Sequence, residues 1–225
     1  MTDQSKDSTI TWRDGSVPIA TRFDDPYYSL TDGAAESRFV FIDGNALQDR
    51  LKSGFHVAEL GFGTGLNLCV LLTTWRAMGA PGQIRFTSFE AFPVSMGVAE
   101  RALAGFPSIA ASAETVLSAF RDTGFHLETP EILATVIEGD AREALPRWNE
   151  SADAWFLDGF SPAKNPELWE ANLMRAVFDK TAPMGTLATY TAAGHVRRSL
   201  QDAGFDVSRV PGFAHKRHMT IGQKS

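Results

Sequence analysis

The chain holds a single cysteine, Cys69, in 225 residues, so no internal disulfide can staple it. Cys69 sits in the apolar stretch 66–72, where a small buried side chain is expected rather than thiol chemistry. The chain also lacks any run of about 18 apolar residues, the length a membrane span needs. Its first ten residues, MTDQSKDSTI, are polar and do not have the charged-then-apolar order of a signal peptide. Together these absences predict a soluble cytoplasmic protein with no membrane partner. Neither HxxxH nor CxxC spacing occurs, so no metal is expected. There is no internal repeat and no low-complexity tract.

Positive charge is in short supply. Twenty-one Lys and Arg against 27 Asp and Glu give a net charge of −6, which argues against gripping nucleic acid with the whole surface. The deficit is uneven. From His195 to Ser225, Arg197, Arg198, Arg209, Lys216, Arg217 and Lys224 face only Asp202 and Asp206, a balance of 6 − 2 = +4, so the preceding residues carry −6 − 4 = −10. Such a basic edge can hold a phosphate backbone or be ordinary solvated charge.

What is present is enough apolar material, 44% of residues, for one sizeable core. We expect residues 1–50 to form an N-terminal extension packed on a domain spanning 51–225. HVAEL, ending at Leu60, is a short apolar strand that runs into GFGTG, and residues 66–78 carry apolar side chains at helical spacing. IRFTSFE, ATVIE, DAWFLD and TLATYT read as further strands. Between them lie helical segments at 142–148, 168–180 and 194–203, the last closed by Gly204. Pro183, Met184 and Gly185 read as a turn, and residues 112–131 give the weakest signal. Alternating strands and helices predict an α/β fold, a Rossmann-like parallel sheet covered on both faces. Residues 22–45 are dense in aromatic and acidic side chains, with turn signals at Asp32-Gly33 and Asp43-Gly44.

In such sheets ligands bind beyond the carboxyl ends of the strands. The first strand's exit carries Glu59, Gly61, Gly63 and Gly65, with Leu66 where a dinucleotide loop would have its third glycine. S-adenosylmethionine has no phosphate to cradle; it offers a ribose diol, an adenine amine and a zwitterionic tail. Glu90, ending the second strand, is positioned for the diol, and Asp140, beyond the third, for the amine. The set favours S-adenosylmethionine over a nicotinamide dinucleotide.

Asp158 ends the fourth strand in DAWFLDGFSPAKNPELW. A carboxylate there can hold and orient an amine that attacks a sulfonium methyl, or can cap the strand end on the amides of 159–161. Lys164 and Asn165 fit either a phosphate contact or a helix cap.

FDDPYYS, ESRFVFIDGN, VAELGFGTGLN, SFEAFP, DAWFLDGFSPAKNPELW, GTLATYTAAGHVRRSLQDAGF and GFAHKRHM together resemble the methyltransferase domain of the MnmC and MnmD family, over roughly residues 23–222. The resemblance implies a class I methyltransferase sheet and S-adenosylmethionine as cofactor. It implies a tRNA 5-(aminomethyl)-2-thiouridylate methyltransferase, which methylates the aminomethyl group of the wobble uridine. Carried over by motif, Glu59, Gly61, Gly63, Gly65, Asn67, Glu90, Asp140 and Asp158 would line the cofactor site, with Tyr27 or Tyr28 closing it or packing in the core. Asp158 would face the amine. Phe160, Pro162, Lys164, Asn165, Arg197, Arg198, Lys216 and Arg217 would meet the anticodon arm. In MnmC the domain is fused to an FAD-dependent oxidase, so the resemblance implies a monomeric enzyme that either acts alone, as MnmD does, on an aminomethyl group made elsewhere, or works with such an oxidase as a fused domain or partner. A methyltransferase acting on a small-molecule amine is the alternative.

Overall fold

The structure, a computed structural model, describes residues 9–29 and 32–225. The polar start, apart from its last two residues, and Leu30 and Thr31 of the aromatic segment lie outside the described residues. The described residues begin with a small antiparallel sheet of β1 (Ile10–Arg13), β2 (Val17–Ala20) and β3 (Asp25–Pro26). Next comes α1 (Gly33–Ser37), which widens into a π-helical stretch over Arg38–Asp43, and then α2 (Leu47–Arg50).

The main sheet is built from β4 (His56–Leu60), β5 (Ile84–Glu90), β6 (His126–Glu128), β7 (Ile132–Glu138), β8 (Ala152–Leu157), β9 (Thr181–Thr189), β10 (Asp206–Pro211) and β11 (His218–Gln223). Their spatial order is β10-β11-β9-β8-β4-β5-β7-β6. The inner pairs β9-β8, β8-β4, β4-β5 and β5-β7 are parallel, as the sequence predicts. The edge pairs β6-β7, β9-β11 and β10-β11 are antiparallel. Strand order reverses between β4 and β8, so their exits open a crevice where helices leave to opposite faces.

Strand alternation divides the core in two. Val57, Phe86 and Phe156 point to one face, against α3 (Leu66–Ala77) and α5 (Ala110–Thr123). Ala58, Trp155 and Leu157 point to the other, against α6 (Ala141–Arg147), α7 (Ala171–Asp179) and α8 (Gly194–Ala203). The helix α4 (Met96–Leu103) packs against the N-terminal sheet. Cys69 is fully buried within α3, and burial pushes its thiol up to about 12, so it serves as a core residue.

Several local expectations change. Asp32-Gly33 is a helix start rather than a turn, because the Asp32 carboxylate accepts the Ala35 amide at 2.9 Å. Asp43-Gly44 does turn the chain after the π-helical stretch, with the Ala46 amide donating to Asp43 O at 2.9 Å. Residues 181–185 belong to β9, since Thr181 pairs with Ala152 before a bulge. The amphipathic segment from 168 is a 3-10 turn over Pro166–Trp169 followed by α7.

Candidate functional site

A cavity of about 510 Å³ opens at the exits of β4, β5 and β8, a size suited to a nucleoside-containing ligand. The strands hold their exits together past their formal ends. The Gly61 amide donates to Phe89 O at 2.9 Å, the Asp158 amide to Leu60 O at 3.1 Å, and the Gly139 amide to Glu90 O at 2.8 Å. The loop after β4 then turns under the cavity through Gly61 (φ +83°) and Gly63 (φ +57°). A Cβ on Gly61 would lie 2.9 Å from the Asp158 carbonyl, and one on Gly63 would lie 3.0 Å from the Tyr27 ring. Both positions therefore demand glycine for conformation and for space.

At the centre stands Asn67, in the first turn of α3. Its Nδ2 donates to Glu59 Oε1 and to Asp158 Oδ2, each at 2.8 Å, while its Oδ1 accepts the Ser37 hydroxyl at 2.6 Å. One amide thus joins the exits of two neighbouring strands to α1. Glu59 is completely buried and also accepts the Ser88 hydroxyl at 2.7 Å. Burial pushes its carboxyl up from the usual 4.5 to about 8. It stands behind Asn67 and does not line the cavity.

Asp158 does line the cavity. Its Oδ1 accepts its neighbour's amide, Gly159 N, at 2.8 Å. The Ser161 amide goes instead to Asp25 Oδ2, also at 2.8 Å, so the β3 carboxylate shares the capping of this loop. Burial raises the Asp158 carboxyl to about 6, against the hydrogen bonds that lower it. Each carboxylate oxygen retains accepting capacity toward a ligand.

Glu90 accepts the Gly63 amide at 2.9 Å and the Phe92 amide at 2.7 Å, one on each oxygen. This pins it at the cavity edge with lone pairs to spare for a diol. Burial raises its pKa despite those bonds.

Other expected residues divide sharply. Tyr28, Phe160 and Lys216 line the cavity, whereas Gly65 caps α3 beneath it. Tyr28 donates its hydroxyl to Ser16 O at 3.0 Å and Ala102 O at 3.3 Å, tying the wall to the scaffold; burial raises its phenol to about 12. Tyr27 stands edge-on to Phe160, with ring centroids 5.1 Å apart. Asp140 is not among the lining residues: its carboxylate is engaged by Arg142, at 2.6 Å from Nη2, and that bond lowers its pKa. Pro162, Lys164, Asn165, Arg197, Arg198 and Arg217 also stand outside the lining. The Lys164 ammonium is drawn to the Asp24 carbonyl and lies 3.3 Å from Asp25 Oδ1. Asn165 precedes the 166–169 turn without a side-chain cap.

Several lining residues escaped the sequence reading, Asp25, Glu36 and Tyr190 among them. Glu36, in the first turn of α1, is 9% exposed, and Tyr190, one residue past β9, donates its hydroxyl to Gly159 O at 2.8 Å. Tyr190 could have been found by the strand-exit rule that selected Asp158. Glu36 carried no such signal, since an acidic residue in a helix's first turn is usually solvated.

The charge balance separates ligand classes. Asp25, Glu36, Glu90 and Asp158 line the cavity against Lys216 as the lining cation among the described residues. A pyrophosphate would be repelled here, whereas a sulfonium and an ammonium would be stabilised. The donor set therefore fits S-adenosylmethionine and disfavours a dinucleotide. A family profile described as S-adenosyl-L-methionine-dependent methyltransferase matches residues 108–225. The chain belongs to the S-adenosyl-L-methionine-dependent methyltransferases. Among its relatives is the "tRNA 5-methylaminomethyl-2-thiouridine biosynthesis bifunctional protein MnmC" of Caulobacter vibrioides, 42% identical over 218 residues. The match covers 93% of this chain and 37% of that protein. The protein of the same name from Ectopseudomonas mendocina is 41% identical over 95% of this chain and 34% of its own length. The chain thus spans little more than a third of these relatives. A crystal structure of MNMC2 from Aquifex aeolicus superposes with a TM-score of 0.77 at 27% identity, over 96% of this chain and 69% of that one.

Proposed function

We propose that this methyltransferase domain transfers methyl from S-adenosylmethionine to the aminomethyl group of the wobble uridine in tRNA, giving the methylaminomethyl product. The observation that carries the reading is Asp158: a half-buried carboxylate fixed by Asn67 and Gly159, facing the cavity where an amine would meet the cofactor. The names of the MnmC relatives, which refer to 5-methylaminomethyl-2-thiouridine in tRNA, support it.

The cofactor supplies an electrophilic methyl on sulfur. The protein's own groups supply the rest. Glu90 and the Gly61 to Gly65 turn would hold the nucleoside half. The Glu59–Asn67–Asp158 chain fixes the acceptor that receives the amine's N–H, so that the nitrogen lone pair points along the line of displacement. The secondary ammonium formed by alkylation then loses a proton, and Asp158, near pKa 6, can pass it on to water. Residues 1–50 act with 51–225 as one catalytic unit in this reading, because β3 and α1 supply walls of the cavity. Arg197, Arg198 and Arg217, together with Lys164, form the basic approach for the anticodon arm. The aminomethyl group must come from a separate activity, an FAD-dependent oxidase in the resemblance above.

The test incubates the protein with S-adenosylmethionine and tRNA from cells lacking the activity, followed by nucleoside mass spectrometry. The expected result is one methylaminomethyl nucleoside for each S-adenosylhomocysteine released. Methylation of free amines with none on tRNA would overturn the substrate.

A further inference from the structure

Glu36 is buried and lines the cavity, and its Oε1 has no hydrogen bond. What stands beside it is Lys216 Nζ at 2.7 Å, close enough for an ion pair but off the hydrogen-bonding direction. The two partners are unlike. The Glu36 side chain is 11% exposed, while that of Lys216 is 47% exposed and reaches in from the turn joining β10 to β11. The same ammonium lies 4.6 Å from the centre of the Tyr190 ring, a cation-π distance. Tyr190 is held by its hydroxyl bond to Gly159 O, next to Asp158.

A buried carboxylate is costly unless a cation neutralises it, so the pocket demands a positive guest at this point. Lysine ends in a methylene bearing an ammonium. That is the chemical group on which the proposed substrate carries its reacting nitrogen.

We propose that Glu36, the face of Tyr190 and Asp158 form a subsite for the substrate's protonated aminomethyl group, and that Lys216 is an internal stand-in which leaves when substrate enters. The proposal rests on the amine substrate read above. Glu36 and Tyr190 attract the cation, and Asp158 receives the proton that must leave before nitrogen can attack. Lys216 keeps Glu36 neutralised while the pocket is empty, and its stem is long enough to swing the charge outward.

The test titrates the protein, saturated with S-adenosylhomocysteine, with 5-aminomethyluridine and with 5-methyluridine by calorimetry. Lys216→Met, which keeps the stem and removes the competitor, should bind 5-aminomethyluridine about tenfold more tightly than the unaltered protein. Glu36→Gln should bind it about tenfold more weakly, with Glu36→Asp recovering part of the loss. Binding of 5-methyluridine should change in neither. In turnover, Glu36→Gln should raise KM for the amine and leave KM for S-adenosylmethionine unchanged, a split that a general loosening of the fold would not give. Weaker amine binding by Lys216→Met, or no change in either variant, overturns the subsite; Lys216 is exposed, so that variant carries the test even if Glu36→Gln folds poorly. If these shifts appear but tRNA is not methylated, the subsite stands and the tRNA reading falls. If tRNA is methylated and the shifts are absent, the reverse holds.

Discussion

At the amino ends of β4, β5 and β8, polar groups are met by fixed partners. The His56 amide donates to Asp153 Oδ2 at 2.8 Å, the His56 ring meets Thr87 Oγ1 at 2.9 Å, and Arg85 pairs with Glu150. Arg50 donates to the carbonyls of Asn45 and Asp153, each at 3.0 Å. At the carboxyl ends of the same strands, Glu90 and Asp158 are held by backbone amides and the Asn67 side-chain amide, groups that orient a carboxylate without cancelling its charge. The first end is electrically closed and serves stability. The second leaves negative potential for a cationic guest, and the difference marks the functional end without reference to any motif.

The sharpest way to break the contrast is Asp158→Ala. It should lower methyl transfer about a thousandfold, near 4 kcal/mol of barrier, while leaving S-adenosylhomocysteine affinity within a few-fold of normal. The same assay run across pH on the unaltered protein should show kcat/KM rising as pH passes about 6, where Asp158 becomes a carboxylate.

Stability should respond to pH with opposite sign at the two ends. Glu59 has its folded pKa raised to about 8 from 4.5, so the native state binds the extra proton. Its favourable contribution is complete below pH 4.5 and is lost as pH rises through 8, on the order of 5 kcal/mol in all. Glu59→Gln, which carries no ionisable proton, should flatten that slope in urea melts; an unchanged slope would place the titration elsewhere. His56 runs the other way. Burial, with Arg85 adding, holds it near 4 instead of 6.5, so stability is present above pH 6.5 and falls away as pH drops through 4, on the order of 3 kcal/mol. His56→Gln should remove that acid limb. The smallest effect belongs to Arg85→Ala: its pair with Glu150 is some 40% exposed on both sides, so unfolding free energy should fall by less than about 1 kcal/mol with methyl transfer untouched.

The parallel centre of the fold was legible because its strands are short apolar runs ending in glycine or acid, and because buried parallel strands need little help from distant residues. The helix 194–203 matched residue for residue, its apolar spacing and closing glycine agreeing. The edges were not legible. The β10-β11 hairpin has a mostly exposed first strand, and β6 is only three residues long, so neither carries a strong alternation. Within the site, Asp158, Glu90 and the glycine turn followed from the strand-exit rule. Asp140 followed the same rule yet is turned to Arg142, because a neighbouring arginine two residues on competes for the carboxylate. Glu36 depends on where α1 docks, a tertiary fact that no local pattern encodes.

The hydrogen bond from the Ser161 amide to Asp25 joins residues 136 positions apart in the chain. The cavity's rim is therefore completed only when the two ends of a very long loop have met, an entropically late event in folding. A cofactor bound there has little to hold in a half-assembled chain. Occupancy of the pocket should thus report finished molecules only, and added ligand should protect against proteases by suppressing the release of the amino-terminal strands before anything else opens.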